Sequence, residues 1–234
     1  AAAPVAPCPG FNYRTTEQIR SAADSIFRSS GADVADSVFA AVHGIEDASP
    51  ATTFDDLDGG ESPTGDSRSL MSGPVPEARR FASQSDEMDA VREWIYGLCG
   101  TAEDAASDES DGGRVDPRNV CVVARSRYCI DQWYKTLDDG LPYGVYRLGR
   151  DAENRQRQGI RIATMHRVKG LEFDYVVVVD VNDGVCPPKP ALQSAGADPA
   201  ALNDIYREER SLIYVAMTRA KKGVLLTGVS AHVR

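Results

Sequence analysis

The sequence has no run of about 18 consecutive apolar residues, so nothing in it reads as a membrane-spanning helix. It has no Cys-x-x-Cys pair and no Cys/His cluster at metal-ligand spacing; its five cysteines, Cys8, Cys99, Cys121, Cys129 and Cys186, are odd in number. That pattern excludes a disulfide framework or zinc site, and predicts reduced thiols in a cytoplasmic protein with no metal ligands of its own. There is no G-x-x-x-x-G-K-[ST] element, so the chain lacks a loop that cradles nucleotide phosphates. No acidic pair precedes Asn12 to hold a divalent cation. The first ten residues, AAAPVAPCPG, lack the charged start and apolar centre of a signal peptide, and read as a linker over 1–10. Excess basic charge is also missing: across 234 residues the formal net charge is −9.

That charge is unevenly placed. Residues 1–118 carry 9 Lys/Arg against 22 Asp/Glu, and residues 119–234 carry 17 against 13. A contact with a polyanion therefore has to be local rather than the effect of a whole-protein field. The acid gathers in two stretches rich in Asp, Gly, Ser and Pro, near 49–73 and 101–117, whose composition predicts flexible, solvated loops.

The remainder alternates between strand and helix patterns. Thr15-x-x-Gln18 fits a capping box opening a helix with Ile19, Ala22, Ala23, Ile26 and Phe27 on its apolar face and a stop near Gly31. A short strand is expected near Ser69–Ser72 and another over Glu77–Ser83. Ser85 is the expected cap of a helix lined by Met88, Val91, Ile95 and Leu98 and ending near Gly100. Val120–Ala124 reads as a buried strand. A helix marked by Ile130, Trp133, Tyr134 and Leu137 follows and stops at Gly140, with core packing the expected role for both aromatics. Strands are expected at Tyr143–Arg147, Ile160–Ala163, Tyr175–Val181 and Val224–Thr227, with a long helix over Asn203–Arg219 and an irregular segment at Asn182–Pro190. The run Tyr175–Val181 lacks polar alternation, which points to a parallel sheet covered on both faces. The predicted fold is one α/β domain over 11–234: a mostly parallel sheet between two helical layers.

The stretch Gly159–Val181, GIRIATMHRVKGLEFDYVVVVDV, carries the most specific pattern. Its Thr164-x-His166-x-x-Lys169-Gly170-Leu171-Glu172-Phe173 resembles motif V of the UvrD/Rep-type superfamily 1 helicases. EERSLIYVAMTRA, Glu208–Ala220, resembles motif VI of the same family, and NYRT, Asn12–Thr15, resembles motif IV. The three occur in the family's order. The resemblance implies the second, RecA-like motor domain of an ATP-dependent 3′-to-5′ DNA helicase or translocase. It also implies the lack of the large accessory insertion, because about a dozen residues separate Tyr146 from Ile160. By resemblance, ATP and Mg²⁺ are the cofactors, with Mg²⁺ held by an N-terminal motor domain of the same parent chain. Single-stranded or duplex DNA and repair or replication proteins are the further partners, and this segment alone is inactive. Nothing in the pattern separates DNA from RNA as the track.

The same resemblance assigns roles. Arg14 and Arg219 reach the γ-phosphate, where a positioned arginine contributes a rate factor of about 10³–10⁵. Glu172 holds ribose hydroxyls, and Lys169 is a phosphate or backbone contact or a solvated lysine. Thr164 and His166 donate to DNA phosphates, which position a strand without reading its sequence. VVARS resembles the segment between motifs IV and V, which brings Arg125 and Ser126 to single-stranded DNA. Position alone gives plainer readings: Arg219 as a cation complementing a helix C-terminus, Arg14 as surface charge, Glu172 as a loop carboxylate and His166 as a structural residue. Glu208, Glu209 and Arg210 open motif VI as ion-pairing residues, and Ser211 stands where many relatives carry a second arginine. The alternative function is a degenerate, non-catalytic binding module with a helicase-like fold.

Overall fold

The computed structural model describes residues 15–31, 33–44, 71–100, 114–149 and 156–230. The predicted linker over 1–10, Arg14 and most of the two acidic stretches lie outside the described residues. Among the described residues there are six strands and six α-helices. The strands are β1 (Glu77–Phe81), β2 (Val120–Ala124), β3 (Val145–Arg147), β4 (Ile160–Thr164), β5 (Phe173–Val178) and β6 (Ala220–Val229). The helices are α1 (Glu17–Arg28), α2 (Val34–His43), α3 (Gln84–Cys99), α4 (Arg127–Gly140), α5 (Lys189–Ala195) and α6 (Pro199–Met217).

The strands form one sheet in the order β1-β6-β5-β2-β4-β3. Every pairing is parallel, so the sheet is wholly rather than mostly parallel. Alternate side chains of each strand leave opposite faces. Cys121, Val123, Ala163, Val176 and Val178 pack with α1, α2 and α6 on one face. Val120, Val122, Ala124, Ile160, Ile162 and Val177 pack with α3 and α4 on the other. Two helical layers on an apolar sheet give the expected three-layer α/β architecture. All five residues of β2 are buried, as its unbroken run VCVVA demands of a central strand.

Local boundaries correct several expectations. Thr16, not Thr15, caps α1: its hydroxyl accepts from the Ile19 N–H at 3.4 Å. Gln18 accepts from the Gly73 N–H at 3.0 Å instead of closing a capping box. The helix ends at Arg28, ahead of Gly31. Ser83, not Ser85, caps α3 by accepting from the Asp86 N–H. The expected strand near 69–72 is not formed at 71–72, and 69–70 lie outside the described residues. Helix α2 was not expected, and α5 occupies part of the segment read as irregular. No helix among the described residues is long and apolar enough to cross a membrane.

One connection positions everything that follows. Parallel strands are ordinarily joined by a crossover of about a dozen or more residues. Here β4 passes to β5, across β2, through residues 165–172 alone. Met165 and Val168 are fully buried on the α1/α6 face and hold this turn against the sheet. Gly170, at φ +82°, supplies the left-handed backbone that the turn needs.

Candidate functional site

Because β4 and β5 are parallel, the crossover starts at the carboxyl edge of the sheet and finishes at its amino edge. Thr164 and His166 therefore stand at one edge and Glu172 at the other. The two candidate residue sets thus lie at opposite edges of the sheet.

At the amino edge the structure brings together Glu172, Arg219 and the start of the described chain. The Phe173 N–H donates to the Arg219 carbonyl at 2.9 Å, where β5 and β6 begin side by side. The Thr15 hydroxyl donates to the Ala220 carbonyl. The residue after Arg14 is thus tied to the residue after Arg219, joining the motif IV and motif VI segments across 205 residues. Arg219 is only 7% exposed. Its Nε donates to the Val215 carbonyl at 3.1 Å and its Nη2 to the Thr218 hydroxyl at 3.3 Å. The guanidinium therefore covers the last turn of α6, the favourable place for a cation on a helix dipole. Glu172 meets Lys221 at 3.0 Å and lines a cavity of about 320 Å³ with Asp116, Arg118, Asn119, Arg161, Phe173, Asp174 and Lys221. Three cations and three carboxylates line it, so the cavity is polar without a strong sign. Such a lining suits hydroxyl groups better than a cluster of phosphates. Among the described residues no group of three or more His, Cys, Asp or Glu side chains is disposed to hold a metal ion.

At the carboxyl edge, Ala124 pairs with Thr164 and the Met165 N–H donates to the Ala124 carbonyl at 3.0 Å. Arg125 and Ser126 at the end of β2 thereby lie beside Thr164 and His166 at the end of β4. Burial lowers the pKa of His166; Arg125 lowers it further, and Glu208 opposes both. The exposed imidazole is thus biased toward its neutral form. Ser126 caps α4, accepting from the Cys129 N–H at 3.3 Å and donating to the Cys129 Sγ at 3.2 Å. Arg125 is committed to an ion pair: its Nε lies 2.7 and 2.9 Å from the two carboxylate oxygens of Glu209. Glu209 is 2% exposed; burial raises its pKa, with Arg125 pulling the other way. Of the three residues read as opening motif VI with ion pairs, Glu209 is the one that anchors the edge. Arg210 instead donates to the Gly31 carbonyl. Lys169 is exposed within the crossover turn.

Beneath this edge lies a polar network that sequence reasoning missed. Trp133, fully buried as expected, donates to Asp180 at 2.8 Å. Asp180 itself adopts φ 56°, a left-handed backbone that is uncommon outside glycine and that Asp and Asn enter more readily than other residues. Glu87, 0% exposed, accepts from the Asp180 N–H at 3.0 Å and from the Thr227 hydroxyl at 2.7 Å. Burial pushes the Glu87 carboxyl up to about 7, against the pull of those two donors. It raises Asp180 as well. In the sequence Glu87 looked like a first-turn acid of α3. The one available signal was its i, i+4 spacing with Val91, Ile95 and Cys99, the buried stripe of that helix.

Comparison with known proteins bears on the same segment. Residues 145–230 match the UvrD-like helicase C-terminal domain family. The putative ATP-dependent DNA helicase YjcD of Bacillus subtilis is 37% identical over 116 residues, 49% of this chain and 14% of that protein. The ATP-dependent DNA helicase UvrD2 of Mycobacterium tuberculosis is 37% identical over 120 residues, 50% of this chain and 16% of that protein. DNA helicase II of Escherichia coli is 30% identical over 117 residues, 49% and 15% respectively. The matched part thus spans less than a fifth of each relative's length. The crystal structure of the C-terminal domain of a possible DNA helicase from Lactobacillus plantarum superposes with a TM-score of 0.51 at 17% identity, covering 94% of this chain and 88% of that one, a likeness of fold. Residues 145–230 are thus similar to the UvrD-like helicase C-terminal domain family, and about half of the chain is homologous to the UvrD/Rep helicases.

Proposed function

We propose that this chain is the second motor domain of an ATP-dependent DNA helicase or translocase and supplies one half of an ATP site. Arg14 and Arg219 approach the γ-phosphate, Glu172 the ribose hydroxyls, and Lys169 a phosphate. Thr164, His166, Arg125 and Ser126 contact the backbone of single-stranded DNA. The observation that carries this reading is the division of these residues between opposite edges of one sheet, with the 165–172 crossover running from one to the other. The tie between Thr15 and Ala220 supports a shared role for the motif IV and motif VI segments. The mixed charge of the Glu172 cavity suits a ribose. Bound ATP would supply the free energy for movement; the residues of this chain would sense its terminal phosphate and hold the track. Mg²⁺ and the phosphate-cradling loop belong to the N-terminal motor domain in this reading.

The test is Arg219→Ala in the parent protein. The expected result is a fall in DNA-stimulated ATP turnover of about 10³-fold or more, with DNA affinity retained. The 234-residue chain alone should hydrolyse no ATP and bind DNA weakly, with strong salt dependence. Robust ATP turnover by this chain would overturn the half-site reading. One observation favours the alternative, a non-catalytic binding module: Arg219 already covers the carboxyl end of its own helix. On that reading Arg219→Ala costs stability and leaves ATP turnover unchanged.

A further inference from the structure

Three large apolar side chains stand exposed among the described residues: Met71 at 41%, Val75 at 50% and Tyr128 at 72%. Tyr128 is the aromatic one. Other rings are engaged within the fold: Trp94 with Tyr175, Tyr96 with Tyr143, Phe27 with Tyr214, Tyr134 under Arg147 and Tyr146 under Arg161. Tyr128 has no such ring contact and no hydrogen bond among the described residues. It sits in the first turn of α4, directly after Ser126 and Arg127. Arg127 is also exposed and has no carboxylate partner among the described residues. Three residues before Tyr128 is Arg125, beside Thr164 and His166. A bare ring next to an unpaired guanidinium, at the end of a strand whose neighbour presents a hydroxyl and an imidazole, is the combination that holds unpaired nucleotides. Bases stack on the ring and phosphates meet the cation.

We propose that Tyr128 is a stacking platform for an unpaired base of single-stranded DNA bound along the carboxyl edge, with Arg127 on the flanking phosphate. The proposal rests on the DNA reading above and narrows it. The backbone contacts of Thr164 and His166 bind any phosphate chain, whereas a ring selects a strand whose bases are unpaired. Since every base has a π-face, the contact is indifferent to sequence.

The test uses the 234-residue chain at low salt and fluorescence anisotropy with two labelled strands of equal length: an oligothymidylate and an abasic deoxyribose-phosphate chain. The wild-type chain should bind the oligothymidylate more tightly. Tyr128→Ala should lose about tenfold in affinity for the oligothymidylate, and should bind the abasic strand as the wild type does. Tyr128→Trp should retain or improve oligothymidylate binding. If Tyr128→Ala matches the wild type on the oligothymidylate, or weakens both strands equally, stacking is overturned while the DNA reading stands. If the wild-type chain binds neither strand, the DNA reading itself falls and stacking with it.

Discussion

Glu87 offers the sharpest check on the energetics beneath the carboxyl edge. Its carboxyl is fully buried, and burial raises its pKa from 4.5 to about 7. In the fold the neutral acid is favoured, so the native state holds a proton that the unfolded chain releases above about 4.5. Stability from this group is therefore fully present below the unfolded value, falls as pH rises, and is lost once pH passes about 7. A difference of roughly 2.5 units at about 1.36 kcal/mol each amounts to about 3 kcal/mol. Glu87→Gln removes the titration and keeps the acceptor oxygen for the Asp180 N–H and the Thr227 hydroxyl. Its amide nitrogen replaces Oε2, which is buried without a partner, and any cost there is the same at every pH. Urea unfolding followed by the fluorescence of Trp94 and Trp133 should give a wild-type curve that loses about 3 kcal/mol more than the variant between pH 4.5 and pH 8. Asp24, Asp180 and Glu209 are also raised by burial, and they largely cancel in the difference between the two proteins. Parallel curves for wild type and Glu87→Gln would refute a titrating Glu87.

Other perturbations probe the packing directly. Glu209→Ala leaves Arg125 facing a buried site without its partner and should destabilise the fold by about 3–5 kcal/mol. The Arg125→Ala/Glu209→Ala double variant should lose less than the sum of the single changes, as read from a double-mutant cycle of urea midpoints. Trp133→Phe deletes the hydrogen bond to Asp180 and should cost about 1–3 kcal/mol by the same assay. A methyl group added at Gly73 would overlap the Thr16 Cγ2, so Gly73→Ala should lower the melting temperature. Adding Thr16→Ser, which keeps the helix cap and removes that methyl, should restore much of the loss.

Much of the fold was legible because its elements are locally consistent. VCVVA between Asn119 and Arg125 has one sensible reading, and β2 begins and ends where the apolar run does. Helices α3, α4 and α6 each carry a stripe at helical spacing. The misses have separate causes. Helix α2 had its signals in place: Asp33 caps it, and Val34, Val38 and Val42 repeat at i, i+4. Helix α5 forms in a Gly/Pro-rich neighbourhood where composition argues for a turn. The choice between Ser83 and Ser85 is decided by a contact, since the Ser83 hydroxyl also donates to the Asp86 carboxylate at 2.7 Å. For the candidate site, motif spacing named the residues but not their surroundings. The partner of Arg125 lies 84 residues away in the chain, and no local pattern encodes that pairing. Tyr128 stood out only once the other rings were seen to be engaged.

A contiguous motif here does not make a contiguous site. Thr164 to Glu172 is continuous in sequence because those residues cross the sheet, and their two ends face different edges. Helix α6 makes the same crossing. Glu209 holds Arg125 at the carboxyl edge, and Arg219 follows the helix's other end at the amino edge, about 15 Å away along its axis. The two edges are thus joined twice, once by a turn packed through Met165 and Val168 and once by a helix. On the proposed function, a shift of Arg219 toward a phosphate moves α6 along its length. Arg125 must then follow Glu209, or their buried pair must break at a cost of about 3–5 kcal/mol. On that reading the ion pair would pass movement at one edge on to the other. Replacing Arg125 and Glu209 together with apolar residues should therefore preserve the fold and weaken the dependence of ATP turnover on DNA in the parent protein. Unchanged DNA stimulation in that variant would leave the 165–172 crossover as the coupling element.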